Sequence, residues 1–382
     1  LLKNRGSYLH FVPRGVVGVI SPWNFPFSIP MGDVVMALIA GNAAVLKPSE
    51  VTPLVALKAK ELVEAAGIPA DLFGVVTGRG GAGAALIDAG IDFCMFTGSV
   101  NTGKRVAAAC GERLIACTLE LGGKAPAIVC HDADMERTAQ AIAWGAFANA
   151  GQVCASVERV YAVESVHDAL VERVVAIAES LRQGNPADGE VDMGAMAWER
   201  QRDHVAQLVD SAVAAGAVAR VGGRKPAGPG HFYPPTVLTN CTQSMDVMRK
   251  EIFGPVVPIM KVRDEEEAVQ LANDSHLGLT AYVFSKDTAR AKLLAERIEA
   301  GTVQVNDVLN TFAMPETPWG GVKQSGIGRT HSALGLRDLC ETRHVNYDRL
   351  SGKKEIWWYP YQDKTYRMVL KAARLLFGKR PW

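Results

Sequence analysis

Short apolar runs alternate with longer segments of helical periodicity along the first third of the chain. Strands are predicted at residues 16–20, 43–46, 72–77, 93–96 and 117–121. Helices are predicted between them at residues 32–40, 53–66, 82–89 and 104–110. Gly67, Gly90 and Gly111 follow three of these helices, where glycine is the expected C-terminal cap residue. This alternation predicts a parallel sheet with helices on its faces, and so an α/β fold class.

The same alternation continues in the second part of the chain. Strands are predicted at residues 126–130 and 159–163, and helices at residues 137–149, 166–181 and 203–215. Residues 222–230 are rich in Gly and Pro and are predicted to form a loop. No fixed-period repeat is visible, which argues against a solenoid.

Composition narrows the classes of function. The 382 residues are 48% apolar, enough for the cores of two domains, and include 37 glycines, which indicates many tight turns. The seven cysteines include no CxxC pair, so we expect no disulfide scaffold and no metal site, and a cytoplasmic location. The net charge of +1 argues against a nucleic-acid partner. The longest apolar run, residues 34–46, is too short to span a bilayer.

A glycine-rich turn follows the predicted strand at residues 93–96 and opens a helix. Its sequence, GSVNTGKR at residues 98–105, presents backbone N–H groups and a helix N-terminus to a phosphate. The turn is one residue short of the P-loop pattern, because Arg105 stands where a magnesium-binding hydroxyl is required. A phosphate contact, a plain tight turn and a P-loop nucleotide hydrolase are the alternatives for this segment.

Three side chains stand in settings suited to catalysis. Cys154 follows a long predicted helix in a GQVC turn, whose backbone amides suit a lowered thiol pKa or an oxyanion, and the alternative is a buried structural cysteine. Glu120 ends an apolar strand, either as a paired carboxylate or as a general base. Asn24 lies between two aromatic residues in the turn PWNFP, where its amide is either structural or an oxyanion donor.

Taken together and in this order, these segments resemble the aldehyde dehydrogenase superfamily over about residues 12–348. The motifs that carry the resemblance are PWNFP at 22–26, KPSE at 47–50, FTGSVNTGK at 96–104, LELGGK at 119–124, GQVC at 151–154, EIFGPV at 251–256 and GGVKQSGIGR at 320–329. The sequences QVNDV at 304–308 and WGG at 319–321 look more like the branch that handles fatty and aromatic aldehydes than the betaine-aldehyde branch.

The resemblance implies oxidation of an aldehyde to a carboxylic acid. Cys154 matches the nucleophile that adds to the carbonyl carbon, and Asn24 matches the donor that holds the oxyanion together with the backbone N–H of Cys154. Hydride transfer to the nicotinamide leaves a thioester, and Glu120 matches the base that activates water to hydrolyse it. Members that form acyl-CoA generally lack this glutamate, so we expect release of the free acid.

The resemblance also implies a nicotinamide cofactor. The positions expected at the cofactor are Trp23, Lys47, Ser49, Glu50, Gly98, Ser99, Gly103, Leu121, Gly122, Glu251 and Phe253. Lys47 and Glu50 match residues near the adenosine ribose, Ser99 lies at the pyrophosphate turn, and Glu251 matches the ligand of the nicotinamide ribose. A carboxylate at Glu50 accepts from a ribose 2′-OH but repels a 2′-phosphate. NAD is therefore favoured, and NADP is the alternative if Lys47 takes the phosphate.

The family fold implies two Rossmann-like parallel-sheet domains and a small β oligomerisation element, in a homodimer or homotetramer. We expect a cofactor-binding domain at residues 1–122, with residues 1–13 in an oligomerisation hairpin, and a catalytic domain at 123–318. A return segment and oligomerisation strand are expected at residues 319–352. Family members carry a further N-terminal segment, so a fragment or a truncated chain is expected. A catalytically silent relative or inactive fragment that serves as an assembly partner is the alternative function.

Residues 353–382 differ in composition from the rest of the chain. They hold eight Lys and Arg against two Asp and Glu, and seven aromatic residues, so the remainder is mildly acidic. A helix from Lys364 would place Arg367, Lys371 and Arg374 opposite an apolar face. This pattern leaves two interpretations open, docking on the same domain or a sister subunit, and peripheral contact with the inner face of a membrane.

Overall fold

The structure, a computed structural model, describes residues 5–350, 354–355 and 357–378. The parts of the predicted hairpin, return segment and tail at residues 1–4, 351–353, 356 and 379–382 lie outside the described residues. The chain divides into two compact units, one from Leu1–Val12 with Thr342–Trp382 and the other from Pro13–Glu341.

A parallel sheet fills the first part of the larger unit. After strand β1 (Arg5–Pro13), its strands are β2 (Val16–Ile20), β3 (Ala43–Lys47), β4 (Phe73–Val75), β5 (Phe93–Thr97) and β6 (Ala116–Glu120). The connecting helices are α1 (Ser28–Ile39), α2 (Pro53–Ala65), α3 (Gly80–Asp88) and α4 (Val100–Glu112). The five strands β2 to β6 are parallel and stand in the order β6-β5-β2-β3-β4.

Alternating side chains of this sheet face two apolar layers. Val17 and Val19 of β2 pack with Val34 of α1 and with α2, whereas Ile20 packs with Leu86 of α3 and with α4. The crossover helices therefore cover both faces, which is what a parallel sheet requires to bury its apolar strands.

A second, seven-stranded sheet follows. The next strands are β7 (Ala125–Val129), β8 (Val157–Val163), β9 (Val218–Val221), β10 (Thr236–Thr239), β11 (Val256–Val262), β12 (Leu277–Gly278), β13 (Thr280–Phe284) and β14 (Thr302–Val305). The helices are α5 (Met135–Phe147), α6 (Glu164–Ser180), α7 (Glu199–Ala214), α8 (Asp246–Arg249), α9 (Glu265–Asn273) and α10 (Thr288–Ala295). The sheet order is β14-β13-β7-β8-β11-β10-β9, with β9 antiparallel. Every residue of β7 and β8 is buried, because helices cover both faces.

The remaining elements complete the described chain, and two of them pair with earlier strands of the larger unit. They are β15 (Val322–Lys323), β16 (Gly326–Ile327), α11 (Ser332–Asp338), β17 (Cys340–Asp348) and α12 (Asp363–Phe377). Strand β16 pairs antiparallel with β6, with Gly326 opposite Glu120, and β15 pairs with β12. Strands β1 and β17 form a separate two-stranded sheet.

The predicted α/β class with two parallel sheets is confirmed, whereas the predicted domain boundaries stay a prediction. Gly67 and Gly90 adopt the left-handed conformation expected after a helix, with φ of 84° and 88°. The same expectation for Gly111 is wrong, since α4 continues through it and the left-handed residue is Leu114, with φ of 55°. Packing of Val106 and Cys110 in the core outweighs the cost of about 1 kcal/mol for a helical glycine. Among the described helices, none has the length and apolar character needed to cross a bilayer.

Candidate active site

The predicted cofactor residues follow the carboxyl ends of neighbouring parallel strands. Trp23 and Asn24 come just after β2, Lys47 ends β3, Ser99 follows β5, and Glu120 ends β6. Because these strands are adjacent in the sheet, their carboxyl ends meet at one edge, which is where ligands bind in open α/β sheets. The topology thus brings segments that are up to about 100 residues apart in sequence to a common edge.

The N-terminus of α4 is shaped to receive a phosphate group. Ser99 is its N-cap residue, and the Ser99 hydroxyl accepts a hydrogen bond from Thr102 N at 3.4 Å. Gly103 lies so close to Leu121 that an added Cβ would collide with the leucine side chain. The glycine therefore lets α4 pack against the segment after β6, and Ser99 and Thr102 stay exposed to solvent. These features fit the pyrophosphate of a dinucleotide.

Lys47 and Glu50 form the second part of the predicted cofactor site. Lys47 is buried at the end of β3, and its Nζ lies 3.7 Å from Oε2 of Glu50, which is half exposed. Ser49 is buried, and its hydroxyl accepts a hydrogen bond from Val51 N at 3.3 Å. An ammonium and a carboxylate at one strand end can recognise ribose hydroxyls, so the residues present fit the adenosine half of the group.

The loop that carries Cys154 has an uncommon backbone. Asn149, Ala150 and Gly151 are consecutive left-handed residues, with φ of 51°, 55° and 70°. An added Cβ on Gly151 would collide with the backbone of Gly254, so this glycine allows the nucleophile loop to lie directly on the loop after α8. The three left-handed residues turn the chain sharply between α5 and β8, and Cys154 follows with partial access to solvent.

Asn24 contacts this loop directly. Its Nδ2 donates a hydrogen bond to the Gln152 carbonyl oxygen at 3.0 Å, and Asn149 Nδ2 donates to the Asn24 carbonyl oxygen at 3.0 Å. Gln152 is fixed in turn, since its Oε1 accepts from Ala197 N at 2.8 Å. One of the two N–H groups of the Asn24 amide therefore positions the loop, which leaves the second for an oxyanion.

The expected lowering of the Cys154 pKa is wrong. Burial raises the pKa of the thiol to about 12, and the nearby carboxylates of Glu251 and Glu120 act in the same direction. The backbone N–H groups of Ala155 and Cys154 favour the thiolate, as the sequence suggested, but they are outweighed. A positive charge nearby is what such a thiol requires, and bound oxidised nicotinamide carries one.

Glu120 is a buried carboxylate without a hydrogen-bond partner. Its side chain is 7% exposed, and neither oxygen has a partner among the described residues. Burial raises the pKa of Glu120 well above its ordinary value and the negative charge of Asp33 raises it further, whereas Arg329 and the nearby Trp319 side chain act in the opposite direction. An unpartnered carboxylate with a raised pKa is suited to accept a proton from a substrate water.

Gly122 and Gly123 connect Glu120 with both loops. Gly123 N donates a hydrogen bond to Glu251 Oε1 at 2.9 Å, and an added Cβ on Gly122 would lie 2.6 Å from Glu251 Oε2. An added Cβ on Gly123 would collide with the carbonyl oxygen of Cys154. The absence of side chains here allows the end of β6 to lie between the nucleophile and Glu251. Burial raises the pKa of Glu251 to about 8, with a further contribution from the Glu158 charge.

An ion pair that the sequence analysis missed anchors the Glu251 loop. Lys124 Nζ donates to Glu158 Oε2 at 2.9 Å, and both side chains are inaccessible to solvent. Glu158 also accepts hydrogen bonds from Ile252 N at 2.9 Å and Phe253 N at 2.7 Å. The signal was present, because Glu158 interrupts an apolar strand, but a single strand gives no indication of its partners.

Three aromatic rings pack beside these loops. Trp23 makes edge-to-face contacts with Phe253 at 5.3 Å and with Trp198 at 6.5 Å between ring centroids. Phe253 has φ of 52°, so its backbone is held in a left-handed conformation. Trp198 was not predicted, because nothing in the surrounding sequence distinguishes it from an ordinary loop residue.

The structure thus places several predicted residues around the Cys154 loop. Asn24 bonds Gln152 of that loop, and Gly123 lies against the Cys154 carbonyl oxygen and bonds Glu251. Gly122 lies against Glu251, and Phe253 packs on Trp23. The negative charge of Glu120 contributes to the raised pKa of the Cys154 thiol. Leu121 and Gly98 pack in the same region, where Gly98 N donates to the Glu120 carbonyl oxygen at 3.0 Å. Lys47, Ser49, Glu50 and Ser99 lie at or just after the ends of neighbouring strands, and their contact with the adenosine and pyrophosphate half of the cofactor stays a prediction.

Comparison with known proteins gives concordant results. The sequence profile of the Aldehyde dehydrogenase family matches residues 2–345. A Mycolicibacterium smegmatis protein provisionally named succinate-semialdehyde dehydrogenase (NADP+) is 42% identical over 376 residues, which are 96% of this chain and 72% of that protein. The match includes residues 98–104, so nothing in it supports a P-loop hydrolase.

Solved structures have the same fold. A protein provisionally titled aldehyde dehydrogenase from Anabaena variabilis superposes with a TM-score of 0.90 at 38% identity, over 94% of this chain and 77% of that chain. The betaine aldehyde dehydrogenase of Staphylococcus aureus, solved with NAD+, superposes with a TM-score of 0.88 at 35% identity, over 94% of this chain and 74% of that chain.

Proposed function

Because this chain belongs to the aldehyde dehydrogenase family, it oxidises an aldehyde to the carboxylic acid with NAD(P)+, and we propose that Cys154, Glu120 and Asn24 carry out the reaction. One observation carries this assignment. Asn24 holds the loop of Cys154 by a 3.0 Å hydrogen bond, and Glu120, buried and unpartnered among the described residues, acts on the same thiol. A nucleophile, an oxyanion donor and a base are the three groups that the reaction needs.

Cys154 and Asn24 perform the first half of the reaction. The Cys154 thiol gives up its proton to solvent, its sulfur bonds to the aldehyde carbon, and the C=O π electrons move to the oxygen, which becomes an oxyanion. The free N–H of the Asn24 amide and the backbone N–H of Cys154 donate to it, which stabilises the tetrahedral adduct. Bound NAD(P)+ supplies the hydride acceptor. The product of this half is a thioester on Cys154.

Glu120 performs the second half. Its carboxylate takes a proton from water while the water oxygen bonds to the thioester carbon, and the C–S bond then breaks to release the acid and the Cys154 thiolate. Water is the acceptor in this proposal, because the partner-free carboxylate at the end of β6 is suited to activate it. The cofactor would be held by Ser99 at the pyrophosphate, by Lys47 and Glu50 at the adenosine ribose, and by Glu251 at the nicotinamide ribose.

The test is NADH or NADPH formation across succinate semialdehyde, fatty aldehydes and aromatic aldehydes. We expect turnover with at least one class and its loss in Cys154→Ser, because a hydroxyl is a far weaker nucleophile than a thiolate. Cys340→Ser is the matched control, since Cys340 is also partly exposed but lies at the start of β17. Full turnover by Cys154→Ser would refute the assignment. The same screen decides between NAD and NADP and tests the fatty and aromatic branch.

We also propose a homo-oligomer that assembles through the sheet of β1 and β17. A two-stranded sheet is marginally stable alone, and this one exposes Leu9 and Tyr8 at 58% and 53%. Light scattering should give the mass of a dimer or tetramer, and Leu9→Lys should lower it. Leu62→Lys, on α2 with 53% exposure, is the control. A monomeric wild-type protein would overturn the proposal.

A second proposal concerns helix α12, which we assign to peripheral contact with an anionic membrane. None of its described residues is buried, and Tyr366, Leu376 and Phe377 are each more than 60% exposed. Lys364, Arg367, Lys371 and Arg374 outnumber Asp363 on the same helix. Basic side chains with exposed apolar and aromatic residues are typical of helices that lie at an anionic lipid surface.

Vesicle sedimentation of the full chain tests this assignment. We expect binding to vesicles with anionic lipid, weaker binding to neutral vesicles, and loss of binding in Val369→Glu with Leu376→Glu. The control is Met368→Glu with Leu375→Glu, which adds the same charge on the opposite side of the helix, so that it weakens attraction but leaves the apolar face intact. Equal binding by all variants, or none by the wild type, would contradict the assignment. A change in oligomeric mass instead would indicate a sister subunit.

A further inference from the structure

Asp33 is a buried carboxyl group to which the proposed reaction gives no role. It lies in the first half of α1, between apolar residues, and is 8% exposed. Its Oδ1 accepts a hydrogen bond from the Thr330 hydroxyl at 3.2 Å. Buried carboxylates are costly unless they are paired or perform chemistry, and a single neutral hydroxyl is a weak partner.

The segment that holds Asp33 also contacts Glu120. Trp319 and Thr330 exchange two backbone hydrogen bonds of 2.9 Å, which closes a turn over the residues between them. Within this turn, Gly320 has φ of 155°, and an added Cβ would lie 3.0 Å from Glu120 Oε1. One rigid turn therefore fixes both carboxyl groups, with Thr330 on Asp33 and the Gly320 backbone against Glu120.

The charges around the two groups are few. Asp33, from α1, raises the pKa of Glu120, while Arg329, from the turn, lowers it. Cys154 faces Glu120 from the nucleophile loop. Burial raises the pKa of Asp33 to about 7, against the effect of Thr330. His331 lies beside Gly32 on the Asp33 helix, and burial lowers its pKa, which favours the neutral ring.

We propose that Asp33 is a positioning residue for the hydrolytic base: with Glu120 it forms a buried carboxyl pair that carries one negative charge, so that Asp33 sets the pH at which Glu120 accepts a proton. This inference rests on the proposed role of Glu120. Two carboxyl groups in a low-dielectric site cannot both ionise at low cost, so the charge on one delays ionisation of the other. Among the described residues, Arg329 is the cation that acts on Glu120, and it offsets this repulsion only in part.

The pair controls the hydrolysis step and leaves hydride transfer unaffected. Glu120 must be ionised to take a proton from the attacking water, while the water oxygen bonds to the acyl carbon and the C–S electron pair returns to the Cys154 sulfur. The charge on Asp33 keeps Glu120 protonated to a higher pH than burial alone. Hydrolysis therefore gains its base at a higher pH than it would without the charge on Asp33, and the acid limb of the pH profile for hydrolysis reports this effect.

The experiment measures thioester hydrolysis by rapid mixing as a function of pH in the full chain. Asp33→Asn keeps the shape of the side chain and removes its charge, so we expect the acid limb of the hydrolysis profile to move down by about one pH unit. At a given pH on that limb, hydrolysis should then be about ten-fold faster. Thr330→Val should move the acid limb in the same direction but by a smaller amount. Without the Thr330 hydroxyl Asp33 ionises less readily, so it repels the charge on Glu120 less. Asp71→Asn, which removes one exposed carboxylate between α2 and β4, should leave the limb unchanged.

The initial burst of reduced cofactor provides the internal check. A burst in Asp33→Asn demonstrates that this variant is folded and transfers hydride, so that an unmoved acid limb would overturn the inference. A shift of equal size in Asp71→Asn would overturn it too, because the effect would then be one of net charge. Absence of any reduced cofactor from the wild-type protein, in the first turnover and afterwards, would instead contradict the proposed function itself.

Discussion

Two buried glutamates, Glu120 at the end of β6 and Glu158 near the start of β8, have opposite surroundings. Glu158 on β8 accepts hydrogen bonds from Lys124, Ile252 N and Phe253 N. Glu120 on β6 has no hydrogen-bond partner for either oxygen among the described residues. Both are carboxylates interrupting apolar strands, so their sequences look alike. The difference teaches that a buried charge with a full set of donors anchors structure, whereas one without donors is held available for a proton.

The largest expected effect comes from removing the unpartnered carboxylate. Glu120→Gln should lower steady-state turnover by about 10²- to 10⁴-fold, because the hydrolytic water loses its base. The burst of reduced cofactor should persist, since hydride transfer precedes hydrolysis. The melting temperature should stay level or rise, because no native hydrogen bond is lost. Rapid-mixing kinetics and calorimetry check these points, and loss of the burst would contradict the assigned role.

The partnered carboxylate should behave in the opposite manner. Glu158→Gln leaves Lys124 buried without its counter-ion and weakens the hold on the Glu251 loop, which we expect to cost about 3–5 kcal/mol of stability. Denaturant unfolding measures this cost. Glu61→Gln is the control, because its 2.6 Å pair with Lys58 is exposed and should contribute under about 1 kcal/mol. If Glu158→Gln and Glu61→Gln lowered stability by the same amount, Glu158 would not be a structural anchor and would no longer differ from Glu120 in this respect.

Glu251 lies between these extremes, with one hydrogen bond from Gly123. Its pKa rises from the ordinary value of 4.5 to about 8, so between these values the folded state binds more protons than the unfolded state. The free energy of unfolding should therefore fall as pH rises through this window, by about 1.4 kcal/mol for each unit of pKa difference. Glu251→Gln should make the fall shallower, as measured by unfolding at pH 5 and pH 8. An unchanged slope would disprove this contribution.

The smallest effects should come from substitution of Gly151, in the turn between α5 and β8 that precedes Cys154. Gly151→Ala combines φ of 70° with a collision against Gly254, so we expect a loss of about 1–3 kcal/mol together with reduced activity. Gly216→Ala has φ of 102° and no atom within 4 Å of the added Cβ, so it isolates the backbone term of about 1 kcal/mol. Denaturant midpoints and turnover rates of the two variants distinguish the cost of the backbone conformation from the cost of the collision with Gly254. Equal losses would indicate that the close contact with Gly254 is unimportant.

The sequence alone determined the class of fold and the family. Short, near-continuous apolar runs separated by helical segments specify a parallel sheet, because each strand must bury both faces and each crossover needs a helix. The order of motifs such as PWNFP and LELGGK then led to the candidate residues Asn24 and Glu120, since their chemistry is local to a short segment. Gly111 shows where local rules end, because core packing carried α4 past a residue that usually ends a helix.

Only the tertiary structure decided which charges meet. Glu158 pairs with Lys124 across adjacent strands, and Asp33 acts on Glu120 from a helix that is 87 residues away in sequence. The sequence likewise gave the wrong direction for the Cys154 pKa, because it displays the local backbone amides but not the buried Glu251 and Glu120. Electrostatic interactions depend on distance and burial, which a linear chain does not record. Local sequence patterns were therefore sufficient to predict the secondary-structure elements and the family, whereas the three-dimensional packing decided which buried groups interact and in which direction their pKa values shift.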